Sequence, residues 1–170
     1  AKYCLIQLEI PQPAVRAALS LSKSQGVFNI LDPAPCRRLS KSLLQLVDII
    51  TPNEFELAEL TGMPVKTKRN IECAGEKLFQ TGVGEVIVTC GERGVCHLSS
   101  DGANWFSAPK VNAIDTVGAG DCFNGSLASA LSRDLGMDEA IRFAVLTSAS
   151  AVTIRGVQPS FPELKPSNCY

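Results

Sequence analysis

The stretch EVIVTC, residues 85–90, decides the fold class because it is short, apolar and rich in β-branched side chains. A continuous apolar run of this kind is typical of a strand whose two faces are both covered, as in a parallel sheet. Three similar runs precede it, YCLIQLEI at 3–10, VFNIL at 27–31 and VDIIT at 47–51. The sequence therefore predicts one sheet built from these strands.

Segments with helical spacing lie between and after the strands. The predicted helices are 13–24, 69–82, 119–134 and 138–154. The first two place apolar side chains along one helix face. Strands that alternate with helices form right-handed crossovers and a mainly parallel, doubly wound sheet. We therefore predict an α/β fold, a three-layer sandwich that forms a single domain over residues 1–170.

An antiparallel hairpin is predicted at one edge of this sheet. Its strands are GVCHLSS at 94–100 and WFSA at 105–108. Between them, Asp101 and Gly102 supply the positive-φ residues that a tight turn requires.

Composition and charge exclude several functional classes. Hydrophobic residues make up 45% of the chain and charged residues 19%, with a net charge of −1. This balance offers no attraction to nucleic acid or to an anionic membrane, and no apolar run is long enough to cross a bilayer. The seven cysteines form no C-x-x-C pair, and there is one histidine. We therefore expect reduced, mostly buried thiols, no zinc site and a cytoplasmic location.

The stretch DTVGAGD at 115–121 is a candidate functional site. A helix that begins at residue 119 has unpaired amides and a partial positive charge at its first turn, and both attract an anion. Glycines at 118 and 120 remove side chains that would keep a phosphate away. Asp121 in the same turn is either a general base for phosphoryl transfer or a simple helix cap.

Two common phosphate-binding motifs do not fit this stretch. GDCFNGS at 120–126 has the glycine spacing of a P-loop, but Ser126 stands where the P-loop lysine is required. The same glycines have the wrong spacing for the dinucleotide-binding motif. A different phosphate-binding architecture is therefore needed.

Several motifs resemble those of the ribokinase-like (PfkB) family of carbohydrate kinases. DTVGAGDCFNG at 115–125 resembles the family signature D-T-x-G-A-G-D-x-F-x-x-G and matches its fixed positions through Phe123, but the final glycine of the signature falls on Ser126, one residue after Gly125. TPNEFE at 51–56 is similar to the family's N-x-x-E motif, and TCGERG at 89–94 to its T-x-G-x-x-G nucleotide segment. LDPAP at 31–35 and GVQPSFP at 156–162 resemble the members that phosphorylate ribose.

The resemblance implies catalytic and substrate roles for five residues. Asp121 would be the base that activates the primary hydroxyl of a sugar substrate. The backbone of Gly118, Ala119 and Gly120 would form the anion hole for the γ-phosphoryl group. Glu9 would bind a sugar hydroxyl from the carboxyl edge of the sheet, although a carboxylate exposed at a strand end explains it equally simply.

ATP and Mg²⁺ are cofactors that the resemblance implies. Asn53 and Glu56 would act near the Mg²⁺–triphosphate, with Glu56 acting through water, but the pair could also be an N-cap and its capping-box partner. Thr89, Gly91 and Gly94 would line the nucleotide, or would simply end a strand and begin a hairpin.

The resemblance also implies a monovalent cation, K⁺ by analogy with the family. Its site would comprise Asp115, Val117, Ala151, Gly156 and Ser160. A cation held there could fix the geometry of the neighbouring anion hole.

The chain departs from the family at both ends. The family's N-terminal strands, its small β lid and its sugar-binding glycine motifs have no counterpart here, so we expect upstream sequence to be missing. The tail over 158–170 is predicted to be a short surface ending. The part that follows Pro162 is too short for the closing helix that is common in the family.

Three functional hypotheses follow. The first is that the intact protein uses ATP to phosphorylate a sugar, converting D-ribose to ribose 5-phosphate. The second is a kinase of the same family for a fructose-type sugar, a nucleoside or a keto-sugar acid. The third is a truncated, non-catalytic module that binds a nucleotide or self-associates, since its exposed sheet edge would favour pairing between chains. A homodimer is compatible with any of these.

Overall fold

The computed structural model describes residues 1–162, and the chain divides into two compact units. The first unit runs from Ala1 to Ser107 and the second begins at Ala108. Compact units need not be independent domains, so the predicted single domain stays a prediction. No helix in this described part of the chain is long and apolar enough to span a membrane.

The first unit contains all the strands and four helices of the described chain. The strands are β1 (Tyr3–Gln7), β2 (Phe28–Asp32), β3 (Ile49–Ile50), β4 (Glu85–Thr89), β5 (Val95–Ser99) and β6 (Gly102–Phe106). The helices are α1 (Gln12–Ser24), α2 (Lys41–Leu44), α3 (Glu54–Thr61) and α4 (Lys68–Phe79).

The strands lie in the sheet in chain order. β1 to β4 are parallel, whereas β4, β5 and β6 pair antiparallel. The predicted α/β fold, with a mainly parallel sheet and an antiparallel edge hairpin, is confirmed. Because the order never reverses, successive right-handed crossovers place α1 to α4 on one face of the sheet. The carboxyl ends of the parallel strands share one edge, where Gln7 of β1 is in register with Asp32 of β2.

One hydrophobic core joins this sheet face to the helices. Its helical members include Val15 and Leu19 of α1 and Ile71 and Leu78 of α4, and all four side chains are at most 2% exposed. Apolar positions at helical spacing therefore face the sheet, as the sequence pattern predicts.

Three element ends of the first unit differ from the prediction. β1 ends at Gln7, because the amide of Leu8 donates to the carbonyl oxygen of Ala34 at 2.8 Å and leaves the strand pairing. α4 ends at Phe79 rather than 82, before a turn in which Gly82 has a φ of +100°. The hairpin turn is shorter than predicted, since β6 already begins at Gly102.

The second unit consists of α5 (Ala119–Ser132), α6 (Met137–Ala151) and α7 (Val157–Ser160). The two long helices bury apolar side chains such as Phe123 and Leu127 of α5 and Ile141 of α6. α6 ends at Ala151 rather than 154, because the next residues form turns that bond back to Ser150 and Ala151. Residues 158 and 159 are exposed, as expected of the predicted surface tail over 158–170, but residues 158–160 belong to α7 and Ser160 is buried. From residue 163 onward the predicted tail lies outside the described residues.

Candidate active site

The start of α3 lies beside the carboxyl end of β4. Asn53 and Thr89 form an isolated parallel bridge, and the Thr89 amide donates to the carbonyl oxygen of Pro52 at 3.0 Å. The Asn53 Oδ1 atom accepts from the amide of Glu56 at 2.9 Å, and Glu56 Oε2 accepts from the amide of Asn53 at 2.8 Å. The capping box considered from the sequence therefore exists, and it holds the Asn53 and Glu56 side chains in fixed orientations.

A pair of buried carboxylates lies at this edge. Glu56 is 7% exposed and Asp32, the last residue of β2, is 6% exposed. Burial raises the pKa of the Glu56 carboxyl; the hydrogen bond from the Asn53 amide opposes this rise and the charge of Asp32 adds to it. Asp32 Oδ2 also accepts from Gln7 Nε2 at 2.9 Å. A cation bound nearby would favour the ionised form of Glu56, which burial and the charge of Asp32 both disfavour.

Sequence reasoning missed Asp32 and Gln7. A signal for Asp32 was available, since LDPAP places an acid directly after an apolar strand, at the sheet edge where open parallel sheets bind ligands. The sequence contains no such signal for Gln7, because its contact with Asp32 depends on the pairing of β1 with β2.

The loop after β4 depends on two glycines. Gly91 begins a single 3₁₀ turn that ends at Arg93, with a φ of +54°, and Gly94 follows it with a φ of +87°. Both values lie in the left-handed region that favours glycine. The Arg93 guanidinium pairs with Glu54, the first residue of α3. Thr89, Gly91 and Gly94 therefore belong to a loop that is attached to the start of α3.

Glu9 lies in the turn that follows β1, two residues beyond its last residue, and its side chain is exposed. This position is at the carboxyl edge of the sheet, as the sequence predicts. Its role as a sugar ligand stays a prediction.

In the second unit, the glycine elbow forms the start of α5. Gly118 is the N-cap, with a φ of +79°. A Cβ atom on Gly118 would lie 2.6 Å from Cγ1 of Val157, so the backbone here approaches α7 closely. A Cβ on Gly120 would meet no atom within 4 Å, so the space in front of the first turn is open. Ala119 is the first helical residue, and Asp121 is exposed in the first turn.

The Asp115 carboxylate joins the elbow to the segment after α6. Its Oδ2 accepts from the amide of Gly156 at 2.9 Å and its Oδ1 from the amide of Val117 at 3.1 Å. These hydrogen bonds hold the pKa of Asp115 below its ordinary value. Ala151 ends α6, and the buried Ser160 donates to the carbonyl oxygen of Val157 at 2.7 Å.

These five residues of the predicted cation site all lie in the second unit, where they offer an ionised carboxylate, a hydroxyl and backbone carbonyls. Such oxygen donors suit a hard cation. Within residues 1–162, no three histidine, cysteine or acidic side chains form a group that could hold a metal by themselves.

The six described cysteines form no disulfide with one another. Cys90, Cys96 and Cys122 are buried, and the other three are partly buried. Burial raises the pKa of Cys90 and of Cys96 to about 12 and also raises that of Cys122. These three thiols are therefore poor nucleophiles.

The sequence matches the model of the pfkB family carbohydrate kinases over residues 1–164. This chain belongs to the pfkB family. It is 40% identical over 158 residues to the ribokinase of Haemophilus influenzae, covering 93% of this chain and 52% of that protein. It is 38% identical over 167 residues to the deoxyribokinase of Salmonella typhimurium, covering 98% of this chain and 55% of that protein.

The match to a solved pfkB structure covers about as much of this chain as the sequence matches do. Arabidopsis thaliana ribokinase, solved in complex with ribose and ATP, superposes with a TM-score of 0.91 and 34% identity. The match covers 96% of this chain and 53% of the Arabidopsis chain. Both the sequence and the fold therefore correspond to about half the length of the pfkB relatives.

The structure groups the predicted pfkB site residues into two sets. The first unit brings together the segments that carry Asn53, Glu56, Thr89, Gly91 and Gly94. In the second unit, Gly118 of the elbow lies against Val157, and Asp115 bonds to the amides of Val117 and Gly156. The role of each residue in binding or catalysis stays a prediction.

Proposed function

We propose that the intact protein transfers the γ-phosphoryl group of ATP to the primary hydroxyl of a sugar, converting D-ribose to ribose 5-phosphate. The observation that carries this proposal is the start of α5. There, Gly118 turns the backbone into the helix, Gly120 leaves open space, and Asp121 stands in the same turn.

The first turn of α5 is the proposed anion hole. The helix dipole places partial positive charge at this end of the helix, although the amide of Ala119 donates to the carbonyl oxygen of Thr116 at 3.2 Å in the absence of a ligand. We assign to the backbone of Gly118, Ala119 and Gly120 the stabilisation of charge on the transferred phosphoryl group. Because phosphoryl transfer depends mainly on positioning and charge stabilisation, such a cradle supplies much of what the reaction needs.

Asp121 is proposed as the general base. Its exposed position in the first turn leaves it accessible to a sugar hydroxyl. It would orient that hydroxyl and accept its proton as the bond to phosphorus forms. Glu9 is proposed to bind another hydroxyl of the sugar.

The residues of the first unit are proposed to bind the nucleotide. Thr89, Gly91 and Gly94 would line ATP, while Asn53 and Glu56 would act near Mg²⁺, Glu56 through water. When bound, Mg²⁺ would neutralise negative charge on the triphosphate. The buried carboxylates of Glu56 and Asp32 fit this assignment, because burial and the charge of Asp32 both disfavour ionised Glu56 and a nearby cation would offset them.

Asp115, Val117, Ala151, Gly156 and Ser160 are proposed to hold K⁺ when it is bound, which would supply a positive charge behind the elbow. Within the chain itself, Asp115 already bonds to Val117 and Gly156. It therefore fixes the backbone just before the anion hole. The cytoplasmic location and the homodimer also stay predictions.

The decisive test replaces Asp121 by asparagine in the intact protein. We expect Asp121→Asn to lower kcat for ribose by about 100-fold or more, because it removes the proton acceptor, and to leave ATP affinity nearly unchanged. Steady-state kinetics and calorimetric ATP titration measure the two effects. Asp138→Asn, an exposed acid in the first turn of α6, is the matched control and should keep wild-type turnover. Wild-type kcat in Asp121→Asn would remove the proposed base.

The 38% identity to a deoxyribokinase makes 2-deoxyribose the alternative substrate that we propose after ribose. We expect kcat/KM for ribose to exceed the values for deoxyribose, fructose and a nucleoside. A higher value for any of these would reassign the substrate and leave the proposed phosphoryl transfer intact.

A further inference from the structure

Arg93 connects the loop at 89–94 to the starts of two helices. Its Nη2 forms an ion pair with Oε1 of Glu54, the first residue of α3. Its Nη1 donates to the carbonyl oxygen of Lys66 at 3.1 Å, just before the N-cap of α4. One guanidinium group therefore holds the loop against both helix starts.

The loop backbone contains hydrogen bonds of its own, from the amide of Cys90 to the carbonyl oxygen of Gly94 at 2.8 Å and from the amide of Gly94 to that of Gly91 at 3.0 Å. Gly91 begins the 3₁₀ turn and Gly94 follows it, with φ values of +54° and +87°. Glycine can adopt many other conformations, so this shape has a high conformational cost unless other contacts favour it. At the start of the loop, the amide of Thr89 donates to the carbonyl oxygen of Pro52. Close to the end of the loop, the contacts of Arg93 restrain the backbone in the same way.

The ion pair is poorly placed to stabilise the fold. The side chains of Arg93 and Glu54 remain 37% and 30% exposed. Ion pairs with this exposure contribute little to folding because solvent screens them. A restraint on a ligand-binding loop has a different effect, since small displacements of binding groups reduce affinity sharply.

We propose that Arg93 is a positioning residue for the nucleotide: its contacts with Glu54 and Lys66 hold the 89–94 loop in the shape that binds ATP. The inference rests on the proposed function, which takes ATP as the ligand of this loop. It adds a residue pair, Arg93 and Glu54, whose role is to shape the loop.

A direct contact between Arg93 and a phosphate predicts something different. In that case the carboxylate of Glu54 would repel ATP, and removing its charge would strengthen binding. In the positioning model Glu54 holds Arg93 in place, so removing its charge weakens binding. The sign of the change in Glu54→Gln therefore separates the two models.

The test measures the Kd of MgATP by calorimetry in the intact protein. We expect the Kd to rise about tenfold in Arg93→Glu and several-fold in Glu54→Gln. The charge-swapped double variant, Arg93→Glu with Glu54→Arg, should return to within about threefold of the wild-type Kd. Circular dichroism melting checks that each variant is folded.

Lys23→Glu is the matched control. Lys23 pairs with Asp48 at 3.4 Å, with side-chain exposures of 44% and 27%, and Asp48 stands before β3, at the opposite edge of the sheet. The control changes net charge by the same amount as Arg93→Glu, and its Kd for MgATP should stay at the wild-type value.

Three results would each overturn the positioning role alone. They are tighter binding in Glu54→Gln, a wild-type Kd in Arg93→Glu, and a double variant that binds no better than Arg93→Glu. If the wild-type protein binds no MgATP, the proposed function fails and the inference fails with it.

Discussion

Gly118 and Gly120 stand two residues apart, yet a side chain would have opposite effects on folding at these positions. Gly118 has a φ of +79° and no room for a Cβ beside Val157, whereas Gly120 is helical and faces open space. The first glycine is therefore required by the fold. The second is required only if a ligand occupies the space in front of α5.

We expect Gly118→Ala to lower the free energy of unfolding by about 1–2 kcal/mol or more, because of the left-handed backbone and the clash with Val157. Gly120→Ala should leave this free energy unchanged or raise it by up to about 1 kcal/mol. It should nevertheless lower kcat, since its methyl group enters the space proposed for the phosphoryl group. Urea unfolding and steady-state kinetics of the intact protein measure both. Wild-type kcat in Gly120→Ala would argue against an anion hole here.

Sequence motifs identify some of the site residues and miss others. The signature at 115–125 marks Asp115 and Asp121 as candidate site residues from the sequence alone. Arg93 lies inside the segment TCGERG, but the motif gives it no role. Its partners, Glu54 and the carbonyl of Lys66, are distant in sequence, and no local spacing brings them together.

At the scale of elements, α3 combines a structural and a proposed functional role. The capping box stabilises its first turn and also orients Glu56, so the two interpretations considered from the sequence are compatible. Burial raises the pKa of the Glu56 carboxyl, and the capping-box hydrogen bond from the amide of Asn53 opposes this rise.

This raised pKa predicts a pH-dependent stability. The folded state binds the Glu56 proton more tightly than the unfolded state does. Protonation of Glu56 therefore stabilises the fold fully below the ordinary pKa of 4.5, and this stabilisation is lost as the pH rises through the raised pKa. Glu56→Gln keeps a capping-box side chain but cannot ionise. We therefore expect the stability of the wild type, relative to Glu56→Gln, to fall from about pH 4 to about pH 7.

Urea unfolding at both pH values measures this difference. Glu59→Gln, which removes an exposed carboxylate from the same helix, serves as the control. A difference between wild type and Glu56→Gln that is constant with pH would show that the carboxyl is not perturbed by its surroundings.

Elements with a strong periodic pattern were predicted well, whereas short ones were not. The four long helices and the strands of the sheet lie where the sequence placed them, with ends shifted by a few residues. α2 and α7 were missed, because four residues are too few to show a helical period. Element ends depend on hydrogen bonds such as that from Leu8 to Ala34, which a local pattern does not contain.

At the scale of the whole molecule, this chain corresponds to about half of its pfkB relatives. It contains the proposed phosphoryl-transfer residues, but Glu9 is the sole sugar-binding residue that the sequence suggested. We therefore expect the 170-residue chain alone to show no ribose phosphorylation under conditions in which the intact protein is active. A coupled ADP-release assay with matched concentrations of both proteins measures this.

Circular dichroism should first show that the isolated chain is folded, so that inactivity cannot come from unfolding. Ribose-dependent ADP release by this folded chain would show that the residues needed for sugar binding are already present in it.

The sequence by itself determined the fold class, the family and the motif segments at 51–56, 89–94 and 115–125 that are expected to bind the nucleotide or the transferred phosphoryl group. It could do so because apolar periodicity and glycine spacing are local properties, set by backbone sterics and by burial of one face. Only the tertiary structure decided that Glu56 and Asp32 are buried near each other, that Asp115 bonds to Gly156, and that Arg93 pairs with Glu54. Those contacts join residues far apart in the chain, and their distances and burial are set by how the strands and helices pack.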